Sequence, residues 1–296
     1  MTGQPQPRPE NKWPRPIPVA DQELANPRLR TVGALIWNAF VRLFHDPVAM
    51  IIGSAFLLLM VWGYHGNLEL LGLVWDGWKG PGSNPAERAR ILEPFPWDQE
   101  WLSFWAGAVI VVGVPCLLIK FVYRQSLTHY GLGLPPPGRR RLAVLASLAL
   151  FVPSLGVFYL GAQNPGMVAT YPFFRDFDGL GDFAVYELGY LPFFIAIEFI
   201  FRGYLLLGLY QFRDDKAPPG VSGDHGPLVF GYYAILISML SYTAWHLGKP
   251  VPELWGTLFW GLATGAIVLA IRSIWPIVLI HWLLNVWLDL LIYKGW

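Results

Sequence analysis

Long apolar runs, broken at intervals by short polar stretches, dominate this chain. A helix needs roughly 20 mostly apolar residues to cross a hydrocarbon core. Stretches of that kind fall near 47–64, 101–123, 142–161, 187–210, 227–246, 254–271 and 276–293. The pattern therefore predicts an all-α, multi-pass transmembrane bundle of about seven spans. Ahead of them Val32, Leu35, Ile36, Phe40, Leu43 and Phe44 recur at helical spacing beside Arg28, Arg30 and Arg42. That spacing predicts an amphipathic helix, either lying on the membrane surface or packed on the bundle. Residues 1–30 are polar and Pro-rich, as in a disordered lead-in, and show no cleavable secretory signal, so the first membrane helix is expected to remain in the protein. No internal repeat of fixed period and no long polar block is present. The expected organisation is 1–30 disordered, 31–124 amphipathic and transmembrane helices, and 125–293 a polar-studded helical core.

Composition agrees with the pattern. At 54% apolar and 14% charged residues the chain is too hydrophobic to cover itself as an ordinary soluble globule, which makes the lipid bilayer its expected surroundings. Placing the N-terminus in the cytoplasm puts Arg8, Lys12, Arg15, Arg28, Arg30, Arg42, Lys120, Arg124, Arg139, Arg140, Arg141, Arg213, Lys216 and Arg272 on that side. Only Lys79, Arg88, Arg90, Arg175, Lys249 and Lys294 then lie outside, a bias that favours this orientation. A net charge of +1 gives no hint of nucleic acid, and Arg139 to Arg141 read as a topology anchor. The single Cys116 lies in an expected span and can form no intrachain disulfide. A Gly-x-Ser-x-Gly elbow, a Gly-rich phosphate loop and His-Glu-x-x-His are all lacking.

Three polar clusters interrupt the apolar runs: Glu198 with Arg202, His246, and His281 with Asn285. Ionisable side chains at membrane depth are costly unless paired or facing a wet cavity, so they point to a functional site. Glu198 and Arg202 are four apart on one helix face and can neutralise one another, as a structural ion pair or as part of a reactive centre. His246 ends its span and alone reads as an interfacial histidine. His281 and Asn285 share a face, where the amide can hold the imidazole in one tautomer or, with it, hydrogen-bond a developing oxyanion.

In order and spacing these clusters resemble the CPBP family, the CAAX proteases and bacteriocin-processing proteins also called Abi, which are glutamic-type intramembrane proteases. The family pattern is Glu-Glu-x-x-x-Arg, then an aromatic residue with x-x-x-His, then His-x-x-x-Asn. This chain carries Ile197-Glu198-Phe199-Ile200-Phe201-Arg202, Tyr242-x-x-x-His246 and His281-x-x-x-Asn285, with Gly203 matching the usual Arg-Gly. The resemblance covers about residues 125–293 and includes Tyr-Gly-Leu-Gly-Leu at 130–134. It implies an intramembrane endopeptidase that hydrolyses a peptide bond of a membrane-associated protein or peptide through activated water, with no cofactor. Glu198, His246, His281 and Asn285 are the implied catalytic positions, with Arg202 in support.

One departure matters. The first Glu of the family pair, the usual water activator, is Ile197 here. Either Glu198 takes over, or another carboxylate enters, or the chain is a non-catalytic relative. Glu253, in the run His-Leu-Gly-Lys-Pro-Val-Pro-Glu after His246, is the substitute candidate. Because Arg202 neutralises Glu198, that carboxylate is expected to be a poor base, which favours Glu253. In the implied mechanism His246 orients the water while His281 and Asn285 stabilise the oxyanion.

Three other readings stay open. A metal-dependent membrane hydrolase would draw two histidines and a carboxylate from Glu198, Glu253 or Asp289, without a short chelating spacing. A pseudoprotease would bind a peptide or partner helix without cleaving it, for example in immunity to a toxic peptide. A transporter would show repeat symmetry or paired interrupted helices, for which Pro192 and Pro276 are too little. The charge bias suits a bacterial plasma membrane. The Trp-rich stretch around 65–100, with Trp75, Trp78, Trp97, Glu87, Glu93 and Asp98, reads as an interfacial aromatic belt or a cover over the outer face. Straight full-length helices would leave His246 and His281 at opposite depths, so tilted or broken helices around a cavity are expected, with Gly261 and Gly265 allowing close approach.

Overall fold

The computed structural model describes residues 27–65, 107–211 and 228–296, together with Ile17, Pro18, Ala20, Leu24, Ala25 and Trp105. The lead-in up to residue 16, the Trp-rich stretch at 66–100 with its carboxylates, and Arg213 and Lys216 lie outside the described residues. Among the described residues the regular structure is helical throughout.

The longer helices are α1 (Leu29–His45), α2 (Pro47–His65), α3 (Val109–Val122), α4 (Arg140–Ala162), α5 (Leu180–Tyr210), α6 (Leu228–Trp245), α7 (Val251–Ile271) and α8 (Trp275–Lys294). Each of the seven expected spans coincides with one of α2 to α8. Helices α4, α5, α7 and α8 are long and apolar enough to cross a membrane; α2, α3 and α6 contribute shorter apolar stretches. The predicted bundle of apolar helices is thus present, and the protein is a membrane helix bundle.

Two compact units divide the chain, 1–53 and 54–296. The first holds α1 and the start of α2. There Asn38 accepts from the Ile17 N–H at 2.6 Å and donates to the Ile17 carbonyl at 2.7 Å. Asp46 caps α2 by accepting from the Val48 N–H at 2.9 Å, and Pro47 takes the first helical position, where its missing N–H costs nothing. The amphipathic helix expected over residues 32–44 is α1, and Val32, Leu35, Ile36 and Phe40 on it are exposed.

The second unit is built around α5, the most enclosed of the long apolar helices. This helix is regular to Glu198, then widens into a π-helix over Phe199–Leu207, an uncommon geometry often found at functional sites. The π stretch is wholly buried. Its Gly203 lets the Tyr130 backbone approach so closely that a Cβ would sit 2.7 Å from the Tyr130 carbonyl. The Tyr-Gly-Leu-Gly-Leu stretch therefore packs on α5. It also receives the start of α8, through Ile274 N–H to the Gly131 carbonyl and Trp275 Nε1–H to the Leu132 carbonyl, both at 3.0 Å.

Helices α6 and α7 pack against one another, and Gly261 makes this possible, since a Cβ there would meet the Met239 backbone at 3.1 Å. Helix α8 packs on α4 and α5. Helix α4 turns Val144, Leu145, Leu148 and Val152 outward. A helix apolar on its exposed face suits lipid rather than water as solvent.

Candidate active site

Glu198 stands on the last regular turn of α5 and Arg202 on the first turn of the π stretch. Both side chains are fully buried, and the Arg202 Nε lies 3.4 Å from Glu198 Oε2. The guanidinium stacks over the Tyr242 ring, 4.0 Å from its centroid, and its Nε–H donates to Thr264 Oγ1 at 3.1 Å. Thr264 in turn donates to the Trp260 carbonyl at 2.6 Å, so α7 braces the cation. Charge pairing, a hydroxyl acceptor and an aromatic face together compensate a guanidinium removed from water.

The other Glu198 oxygen is occupied by His281. Its Nδ1 lies 2.7 Å from Glu198 Oε1, so Nδ1–H is the donor and the tautomer is fixed by a carboxylate. Asn285, which the spacing offered either as the group holding that imidazole or as its companion on an oxyanion, does not bond to it, donating instead from Nδ2 to Asp289 Oδ2 at 2.9 Å. Phe194 and Trp260 flank the His281 ring with centroids at 4.9 and 5.0 Å.

A second polar group lies at the junction of α6 and α7. His246 follows the last residue of α6 and folds back, its Nδ1 2.8 Å from the Tyr242 carbonyl. A carbonyl only accepts, so Nδ1 carries the proton and Nε2 of the neutral ring presents a lone pair. Facing it at 3.7 Å is Oε1 of Glu253, on the first turn of α7. Two acceptors at that separation suit one water donating a hydrogen to each. Tyr171 donates to the same Glu253 oxygen at 2.7 Å, and the Lys249 ammonium reaches the Tyr171 hydroxyl at 3.3 Å. Burial, followed by the Glu253 charge, holds the Tyr171 phenol well above its ordinary pKa, so it stays a donor. Burial also pushes Lys249 below its usual value, opposed by Glu253.

Both groups open on one cavity of about 670 Å³. His246, Glu253, His281 and Asn285 line it, as do Ile197, Tyr242 and Lys249. The depth conflict foreseen for the two histidines is met by Tyr242, whose ring lies 4.5 Å from that of His246 and 6.4 Å from that of His281, centroid to centroid. Glu198 and Arg202 stand behind this wall. Among the described residues no three His, Cys, Asp or Glu side chains converge as a metal-binding group, and the two histidines engage different carboxylates.

Tyr171, Trp260 and Thr264 were not singled out by sequence reasoning. Thr and Tyr inside or beside apolar helices carry no period of their own, so only the three-dimensional contacts expose their roles.

The described helices thus bring two histidines and an amide to the wall of one cavity, with a buried Glu–Arg pair beside them. Residues 184–287 match the family model described as Type II CAAX prenyl endopeptidase Rce1-like. The matched stretch holds Glu198, Arg202, His246, Glu253, His281 and Asn285. No curated protein and no solved structure gives a significant match to the chain.

Proposed function

We propose that this protein is a CAAX-protease-type intramembrane endopeptidase that hydrolyses a peptide bond of a membrane-associated protein or peptide, in a bacterial plasma membrane with its N-terminus cytoplasmic. Glu253 and His246 activate the water. The observation that carries this assignment is the difference between the two carboxylates. Glu253 and His246 are 15% and 13% exposed on the cavity wall, whereas Glu198 is 0% exposed and held between His281 and Arg202. A base must reach the proton it removes, which favours Glu253. Glu198 then acts as a positioning residue that fixes the His281 tautomer. In this reading His281 and Asn285 hydrogen-bond the tetrahedral oxyanion, in a site shielded from bulk water where such bonds count most. No covalent intermediate forms, and no metal is required.

The cavity supports a peptide as substrate. Aromatic residues Phe173, Tyr190, Phe193, Phe194 and Trp260 line it beside the polar groups, as suits a mostly apolar ligand with a few polar contacts. The testing experiment compares membrane-bound and released proteins from cells carrying the native chain with those from cells carrying His281→Ala. A peptide that changes length between the two establishes both proteolysis and substrate. Unchanged profiles across growth conditions overturn the protease reading.

Ile197 on the cavity wall favours a second reading. It places an apolar side chain where the resembling family has its water-activating Glu, as in a pseudoprotease that binds a peptide without cleaving it. Under that reading substitutions at Glu253, His246 and His281 leave function intact.

A further inference from the structure

Two carboxyl groups stand outside the reaction scheme above. Asp289 on α8 is fully buried, and Glu187 on α5 is 2% exposed. Asp289 Oδ2 accepts from Asn285 Nδ2 at 2.9 Å, so it holds the amide that lines the cavity. The Glu187 carboxyl lies beside the carboxyl of Asp289 and the amide of Asn285. Among the described residues no hydrogen bond reaches Asp289 Oδ1, and the N–H group beside the Glu187 carboxyl is that of the Asn285 amide. Arg175, the cation whose charge reaches Asp289, gives hydrogen bonds to the carbonyls of Val168, Tyr171 and Pro172.

Two adjacent carboxylates repel, and with little water nearby they cannot both be ionised cheaply; one proton between them converts the contact into a strong hydrogen bond. The helices are tied at this level by Trp282, whose Nε1–H donates to the Glu187 carbonyl at 2.8 Å.

We propose that Glu187 and Asp289 form a hydrogen-bonded carboxyl pair sharing one proton, and that this pair is a positioning device for Asn285, fixing its amide on the cavity wall. The chain of contacts runs Glu187 to Asp289 to Asn285. Asp289 takes one amide hydrogen of Asn285 and so fixes which way the amide faces on the cavity wall. The positioning role rests on the protease reading; the carboxyl pair does not.

The test has a spectroscopic arm and a kinetic arm. Infrared spectra of the purified protein in detergent are expected to show a carboxylic C=O band at neutral pH that shifts in D2O and vanishes in Glu187→Gln. The band should also shift in Asn285→Ala, because Asp289 then loses its other donor. Asp289→Leu is expected to lower kcat at least about tenfold with little change in KM, the signature of a lost transition-state donor. Asp289→Asn keeps an acceptor oxygen and should recover part of that loss. Absence of the band, or its indifference to Asn285→Ala, overturns the proposal whether or not the protein cleaves anything. Equal kcat losses in Asp289→Leu and Asp289→Asn overturn the positioning role. A native chain that hydrolyses no peptide while the band keeps its response to Asn285→Ala supports the linked pair and counts against the protease reading alone.

Discussion

His281 Nδ1 lies 2.7 Å from Glu198 Oε1, while Arg202 approaches the other oxygen of the same carboxylate at 3.4 Å. One buried carboxylate thus serves two partners and has no face left for water. Removing its charge leaves the Arg202 guanidinium buried and uncompensated.

Glu198→Gln is therefore expected to destabilise the fold by about 3–5 kcal/mol, the usual cost of breaking a buried ion pair from one side. Glu253→Gln should cost far less, because Glu253 is partly exposed and keeps an acceptor for Tyr171. Thermal unfolding of both variants in detergent checks the ordering. Equal losses would contradict the division of labour between the two carboxylates.

Thr264 supplies the hydroxyl that accepts from Arg202 Nε at 3.1 Å. Thr264→Val keeps the shape and removes the acceptor, so a loss of about 1–3 kcal/mol is expected for the stranded donor. Thr264→Ser, which retains the hydroxyl, should lie closer to the native protein in the same melting series.

Gly203 and Gly156 form a matched pair of helical glycines. A Cβ at Gly203 would meet the Tyr130 carbonyl at 2.7 Å and Phe199 at 2.6 Å, whereas at Gly156 nothing lies within 4 Å. Gly203→Ala should destabilise the protein by roughly 1–3 kcal/mol through overpacking. Gly156→Ala should be neutral or slightly stabilising, since alanine favours a helix over glycine. A lower yield of folded protein and a lower melting temperature for the first variant alone would support the close approach.

Tyr171 donates to Glu253 Oε1 at 2.7 Å and fixes the carboxylate opposite His246. Tyr171→Phe removes this bond while keeping the ring that Lys249 approaches at 5.0 Å. A fall in kcat of roughly tenfold with a nearly native KM is expected, since orientation of a base and not peptide binding is lost. Steady-state rates on a cleaved peptide give the answer.

The helices were legible because spanning a bilayer imposes length and apolarity on each, and a run such as 276–293 shows both directly. Glu198, Arg202, His246, His281 and Asn285 were legible because charge or amide in an apolar helix stands out. Their pairing was less so. Spacing of four suggested Asn285 as a partner for His281, but the imidazole binds Glu198 on another helix and the amide binds Asp289. The π stretch after Glu198 carries no apolar period that would announce it, although Gly203 marks where the backbone must come close. Ile197 drew attention to Glu253, and only the fold brings that carboxylate within 3.7 Å of His246.

In the proposed mechanism Glu253, and not Glu198, activates the water. Its most direct test is the hydrolysis rate of one cleaved peptide by native protein and by Glu253→Gln, each verified as folded by thermal unfolding. A fall of about 10²–10⁴ in kcat with the melting temperature nearly unchanged is the predicted result. A folded Glu253→Gln variant that turns over at the native rate would contradict it.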